Sequence, residues 1–311
     1  VDSVAYILTG TGRAATQFNS TGASPNFVDN LVLNSNGNKY TYISIKDATL
    51  HYENTKTISS DGTVFINADD SNIDLMANAS INSTNKGVIG VYSKGFNDIK
   101  NKGKIELTGD DSTAIYGNNS TVTNDNGNIK IGNTGSGIYV ENGSTGTGTG
   151  NITVTGDGNT AIANFGTFTQ TGGTIDVSGK DSIGIYAKDS SSSTTITGST
   201  VNAKNGAVAF YADGSSGNES TITLNNVTSN IGDGGLLFFN YTSAGTAQVG
   251  KFDILSGRMT ANIASGGVAF YNRGIIGSEA TFLNMINGNN LTLNMSSGSR
   301  LFVFDDPGIT Q

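Results

Sequence analysis

The sequence has no cysteine, two prolines, one histidine and few charges. Without thiols there can be no disulfide, no thiolate nucleophile and no cysteine-ligated zinc or iron–sulfur centre. The prolines are Pro25 and Pro307, so nothing between them lacks the backbone N–H that a continuous sheet needs. Charged residues are 14% of the chain, against roughly a quarter in an ordinary domain. Disordered chains usually combine weak hydrophobicity with high net charge, so this scarcity points to a folded chain coated with Asn, Ser, Thr and Gly. The 17 Lys and Arg are outnumbered by 25 Asp and Glu, for a net charge of −8. That argues against nucleic acid as a partner, because phosphate binding needs clustered cations. The one dense basic stretch, Lys94 to Lys104, is interrupted by Asp98 and reads as a solvated loop. Helix-forming runs are missing, and no apolar run approaches the ~18 residues of a membrane-spanning helix.

What is present is glycine (43 residues), abundant Val, Ile and Thr, and one segment written out repeatedly. STAIYGN at 112–118, SGIYVEN at 136–142, NTAIANF at 159–165 and DSIGIYAKDS at 181–190 are copies of it. GAVAFYAD at 206–213, GGLLFFN at 234–240 and GGVAFYN at 266–272 continue the series. Alignment superposes Tyr92, Tyr116, Tyr139, Ala163, Tyr186, Tyr211, Phe239 and Tyr271, at steps of 24, 23, 24, 23, 25, 28 and 32. A second short strand precedes each: IEL at 105–107, IKI at 129–131, ITV at 152–154, IDV at 175–177 and VNA at 201–203. About 24 residues at roughly 3.3 Å each make two or three strands plus corners. Stacked turns pair each strand with its copy in parallel register. The corners carry residues suited to positive φ: TGDD at 108–111, TGDG at 155–158 and SGKD at 178–181. The expected fold is all-β, a right-handed parallel β-helix with about 23–25 residues per turn and longer turns C-terminally. Residues 1–60 are less regular and read as N-terminal turns or a cap, and 61–311 as the β-helix. Loops are expected to protrude at 213–220 and 241–250. The chain opens at Val1 without a leader and reads as a fragment of a longer precursor.

Period-two alternation assigns the faces. Ile183, Ile185 and Ala187 fall on one side; Gly184, Tyr186 and Lys188 fall on the other. The same split sets Val208, Phe210 and Ala212 against Ala209, Tyr211 and Asp213. Because Lys188, Asp213 and Glu141 are poor candidates for unpaired burial, the tyrosines are expected to face outward. Beside them the small residues Gly90, Ala114, Gly137, Ala161, Gly184 and Ala209 are also expected outside. Val91, Ile115, Ile138, Ile162, Ile185, Phe210, Phe238 and Phe270 form the expected core column. Tyr92, Tyr116, Tyr139, Tyr186, Tyr211 and Tyr271 then make an external ladder, interrupted at Ala163, and are the candidate recognition face.

These SIGIYAKDS-like units with Asn- and Gly-rich corners resemble the passenger domains of type V autotransporters, in particular the very large outer-membrane adhesins of fusobacteria. The likeness spans roughly residues 60 to 300. It implies secretion, display on the extracellular face of the outer membrane, and adhesion to host cells or other bacteria. The implied partners are a host cell-surface protein or glycan, or a partner bacterium. Membrane attachment would come only through a translocator barrel outside residues 1–311. The resemblance assigns no ligand-binding residue.

Parallel β-helices also include pectin-degrading and glycan-cleaving enzymes, so a tailspike-like or pectin-lyase-like enzyme is the rival reading. Such sites need carboxylates converging on one groove, often with His, Arg or Lys. The single histidine, His51, lies on an apparent strand and reads as a surface or edge residue. Asp69–Asp70, Asp110–Asp111 and Asp305–Asp306 are adjacent in sequence, so on a strand their side chains diverge; they read as corners. Arginine occurs only at positions 13, 258, 273 and 300, and no G-x-S-x-G, H-E-x-x-H or G-x-x-x-x-G-K-[ST] motif is present. Calcium would be held by corners such as TGDGNT, but stacked carboxylates and the β-roll nonapeptide are missing. Ice binding needs a uniform threonine array, whereas one outward slot runs Glu106, Lys130, Thr153, Asp176 and Asn202. The expectation is a non-catalytic adhesin fragment without metal or cofactor.

Overall fold

The computed structural model describes residues 3–22, 25–31, 39–188, 193–215, 219–242, 250–274, 286–287 and 290–305. Among these, strands are the only regular elements; they pair in parallel as a β-solenoid, and no helix is long and apolar enough to cross a membrane. The chain divides into two compact units, Val1–Thr153 and Val154–Gln311.

Each unit stacks three sheets, visited in rotation. In the first unit, Tyr40–Lys46, Val64–Asp69, Ile89–Lys94, Thr113–Asn118 and Ser136–Val140 belong to the first sheet. Thr49–Tyr52, Asn72–Leu75, Asp98–Asn101, Thr121–Asn124 and Thr145–Gly148 belong to the second; Ser80–Ser83, Lys104–Leu107 and Asn128–Ile131 belong to the third. Ser3–Thr9 pairs with Tyr40–Lys46, which pairs with Val64–Asp69, so the first 60 residues contribute to the same ladder. In the second unit the first sheet holds Thr160–Asn164, Ile183–Lys188, Val208–Gly214, Leu236–Thr242, Val268–Gly274 and Arg300–Asp305. Its second sheet includes Thr167–Thr171, Ser193–Thr197, Ser220–Asn225 and Gly250–Ile254; its third includes Thr174–Ser178, Thr200–Lys204, Val227–Ile231 and Met259–Ile263.

The core column lies where periodicity places it. Val91, Ile115 and Ile138 are register partners with no exposed surface. Ile162, Ile185, Phe210, Phe238 and Phe270 form the same column in the second unit, all buried. Each such side chain contributes roughly 1.5–3 kcal/mol by leaving water, offset by the entropy of ordering its strand.

The small-residue column is not outside. Ala114, Ala161 and Ala209 have no exposed surface, and Gly90, Gly137 and Gly184 are buried. The strands read half-exposed, buried, buried, half-exposed, buried, so two successive residues point inward. The alternation slips by one where the strand bends toward the third sheet. A Cβ on Gly184 would sit 2.6 Å from the Ala209 carbonyl oxygen and 3.3 Å from a Val177 methyl. The slip also turns Ile183 outward to half-exposure, together with Leu236. Asp213 is buried, contrary to the reading of it as an outward charge, because it is fully partnered, as described below.

The corners adopt the expected conformations. Asp111 (φ 56°), Asp181 (φ 59°), Gly156 (φ 97°) and Gly158 (φ 69°) are all left-handed. Buried amides serve corner backbone groups: Asn101 donates to Asn124 at 2.9 Å and accepts from the Gly103 N–H at 3.1 Å. Asn240 donates to Asn272 at 2.9 Å and accepts from the Gly250 N–H at 2.8 Å. Of the expected protruding loops, 216–218 and 243–249 lie outside the described residues. Asp213 and Gly214 end one strand and Ser220 begins another; Tyr241 and Thr242 end a strand and Gly250 begins the next.

Candidate recognition face

The ladder of rings follows from strand register on the outer side of the first sheet. In the first unit, Tyr116 pairs with Tyr92 on one side and Tyr139 on the other. The rings stack nearly parallel, at 5.2 Å and 22° and then 4.8 Å and 9°. All three are half-buried. Tyr116 thus has a ring against each of its faces.

The second unit is built differently. Tyr186 and Tyr211 meet at 5.0 Å and 77°, and Tyr211 and Phe239 at 4.6 Å and 74°. Phe239 and Tyr271 return to parallel stacking at 5.2 Å and 13°. Ala163 supplies no ring, but Phe165, two residues on, lies 5.7 Å from Tyr186 and packs against it. Phe165 was missed in the sequence because it falls outside the aligned column; its two-residue spacing from Ala163 was the available signal.

A second column runs two residues beyond the ladder and anchors it. The Tyr116 hydroxyl donates to Glu141, that of Tyr186 to Asp213 Oδ2 at 2.5 Å, and that of Tyr271 to Asp305 Oδ2 at 2.9 Å. In every case the acceptor belongs to the next turn. Asp213 also accepts from the Ser215 N–H at 2.8 Å and faces Lys188 Nζ at 3.8 Å. Burial, reinforced by these carboxylates, holds the phenols of Tyr116, Tyr211 and Tyr271 above the usual tyrosine pKa, so they remain neutral donors.

Beside the aromatic column in the second unit lies an aliphatic one, Ile183, Val208 and Leu236, in register. Between the two columns runs a groove of about 340 Å³, lined by these three residues with Tyr211, Phe239 and Tyr271, and by Asp181 and Arg273. The ladder tyrosines thus separate: Tyr92, Tyr116 and Tyr139 form a closed stack, whereas Tyr211 and Tyr271 line a concave surface.

The remaining candidates are scattered. His51 Nδ1 contacts Asp74 Oδ2 at 2.9 Å, and Lys100 follows Asp74 in register. They line a small space of about 130 Å³ with Leu75, Met76 and Lys102, none of which carries a hydroxyl. Asp69 pairs with Lys46 at 3.5 Å and Asp111 with Lys86 at 3.0 Å. Among the described residues no three His, Asp or Glu side chains converge as a metal site. The threonine stretches lie on different sheets: 153–155 on the third, 195–197 and 221–223 on the second. Thr169, Thr195 and Thr223 do form a column, but it runs into Asp253. On the third sheet Glu106 pairs with Lys130 at 2.9 Å, and Asp176, Asn202, Asn230, Asn262 and Asn294 form an outward chain of hydrogen bonds of 2.7–2.8 Å.

A buried cluster escaped the sequence reading. Lys56 occupies an inward register position opposite Ile81, and its ammonium meets Asp29 Oδ1 at 3.0 Å. Asp29 also accepts from the hydroxyls of Tyr42 and Tyr52. A lysine at an apolar position gives no signal of its partner when that partner is 27 residues away in an irregular segment.

No protein-family model, curated protein or solved structure matches this chain. Fold and surface define its class: a parallel β-solenoid with an outward aromatic ladder.

Proposed function

We propose that the chain is part of a bacterial surface adhesin that attaches to host cells or other bacteria by non-catalytic contacts. The observation that carries the reading is the outer side of the first sheet in the second unit, where an aromatic and an aliphatic column flank a groove. Solvent-facing aromatic groups in a concave setting suit recognition, since a ring offers flat apolar area and a phenol adds a donor. The resemblance of the repeated SIGIYAKDS-like units to autotransporter passengers supports the same reading and gives the expected location, the extracellular face of the outer membrane. The test is attachment: the labelled chain should bind human epithelial cells or co-aggregating bacteria saturably and release no reducing sugar from a polysaccharide panel. Saturable binding absent from every cell type, or steady release of sugar, would overturn it.

A further inference from the structure

The groove of the second unit has the chemistry of a particular ligand. We propose that it binds a saccharide unit bearing a carboxylate, an inference that rests on the recognition reading and names its ligand class. At about 340 Å³ the groove lies at the small end of ligand sites, the scale of one or two sugar rings.

Tyr211 supplies the platform. It stands at 77° and 74° to its two ring neighbours, so no parallel ring covers either of its faces. The C–H face of a pyranose fits such a surface, and Ile183, Val208 and Leu236 extend the apolar wall opposite.

The two charged lining residues orient the ligand. Arg273 is 60% exposed and touches Asp305 through Nε at 3.9 Å, longer than a hydrogen bond. The Asp305 oxygen it approaches already accepts from the Tyr271 hydroxyl. Among the described residues the terminal nitrogens of the guanidinium therefore remain for a second carboxylate, which their planar fork matches. Asp181, exposed at a left-handed corner, accepts from sugar hydroxyls and repels a second anion. The ligand carboxylate is accordingly directed to the Arg273 side.

An extended peptide is the less suitable occupant. Val208–Gly214 and Leu236–Thr242 are paired along both edges, so the groove floor offers no open backbone for strand addition.

The experiment titrates the whole chain with the methyl glycosides of glucuronic acid and N-acetylneuraminic acid, and with methyl glucoside and methyl galactoside as neutral probes, by saturation-transfer NMR. The acidic glycosides should bind about tenfold more tightly than the neutral ones, the scale of one charge-assisted bidentate contact. Arg273→Gln should abolish that preference, and Tyr211→Leu should weaken both classes alike with the fold intact by circular dichroism. Lys130→Gln, which does not line the groove, should leave glycoside binding unchanged. Equal binding of acidic and neutral glycosides, a preference that survives Arg273→Gln, or no binding of any of the four glycosides would each overturn the proposal. Cell attachment undiminished in Arg273→Gln would refute the saccharide site and leave the adhesin reading standing. Arginine-dependent glycoside binding without attachment to any cell would do the reverse.

Discussion

Ile185 has no exposed surface and stacks between Ile162 and Phe210. Ile185→Asp would place a carboxylate there without a partner, at a cost of several kcal/mol, about 3 or more. A melting temperature equal to the parent's would refute the inward assignment of this column. Asp213 shows the opposite case, a buried charge that is satisfied. It serves the Tyr186 hydroxyl, the Ser215 N–H and Lys188, and Asp213→Ala should cost about 1–3 kcal/mol by leaving donors without their acceptor. Asp305 accepts the matching bond from Tyr271 but its side chain is 50% exposed, so Asp305→Ala should cost under about 1 kcal/mol. Denaturant midpoints of the two variants should therefore differ in that order. Equal losses would show that burial does not govern the carboxylate column.

At the scale of the strand, the decisive feature is the slip in alternation before each core residue. Gly184 faces the Ala209 carbonyl at a distance that any Cβ would bring to 2.6 Å, with Val177 and Val201 methyls at 3.3 and 3.4 Å. Gly184→Val should distort the bend and destabilise by roughly 1–3 kcal/mol, the range of overpacked sites. A well-folded variant of parental midpoint would mean the bend is slack. The same feature marks where sequence reasoning stopped. Repeat length, core column, corner residues and the outward tyrosines were legible because each recurs at fixed spacing. The slip was not, because a glycine or alanine fits equally an outward slot that clears space and an inward slot that lacks it. Strict period-two logic then sent Gly184 out and Ile183 in, the reverse of what the bend imposes. The ladder itself was legible as a column but not as rings. Register places Tyr211 beside Phe239, whereas the perpendicular setting that keeps parallel rings off its faces depends on side-chain torsions. Arg273 stands two residues past Tyr271 in the sequence, but only the structure sets it in one groove with Ile183, Val208 and Leu236.

For the molecule as a whole, the phenols form a titration system spread over both units. Tyr42, Tyr52, Tyr116 and Tyr139 in the first unit, and Tyr211 and Tyr271 in the second, are all held above the ordinary value of 10.0, chiefly by burial. A group whose folded pKa is raised contributes stability below its unfolded value and loses it as pH climbs toward the folded one. Below pH 10 both states keep these phenols protonated, so their contribution is intact. Above pH 10 the unfolded chain sheds protons that the folded chain retains, and unfolding becomes progressively favourable. Glu106 runs the other way: hydrogen bonds from Lys104 and Lys130 lower its pKa, so its contribution fades only as pH falls through the acid range. Stability should therefore be flat through neutrality and collapse on the alkaline side, with tyrosinate absorbance appearing together with loss of β-sheet circular dichroism. Tyr116→Phe should delay the alkaline collapse slightly, because one fewer phenol then drives it. Smooth tyrosinate formation from pH 10 upward with the sheet signal unchanged would show that these rings are freely solvated, and would remove the ladder as drawn.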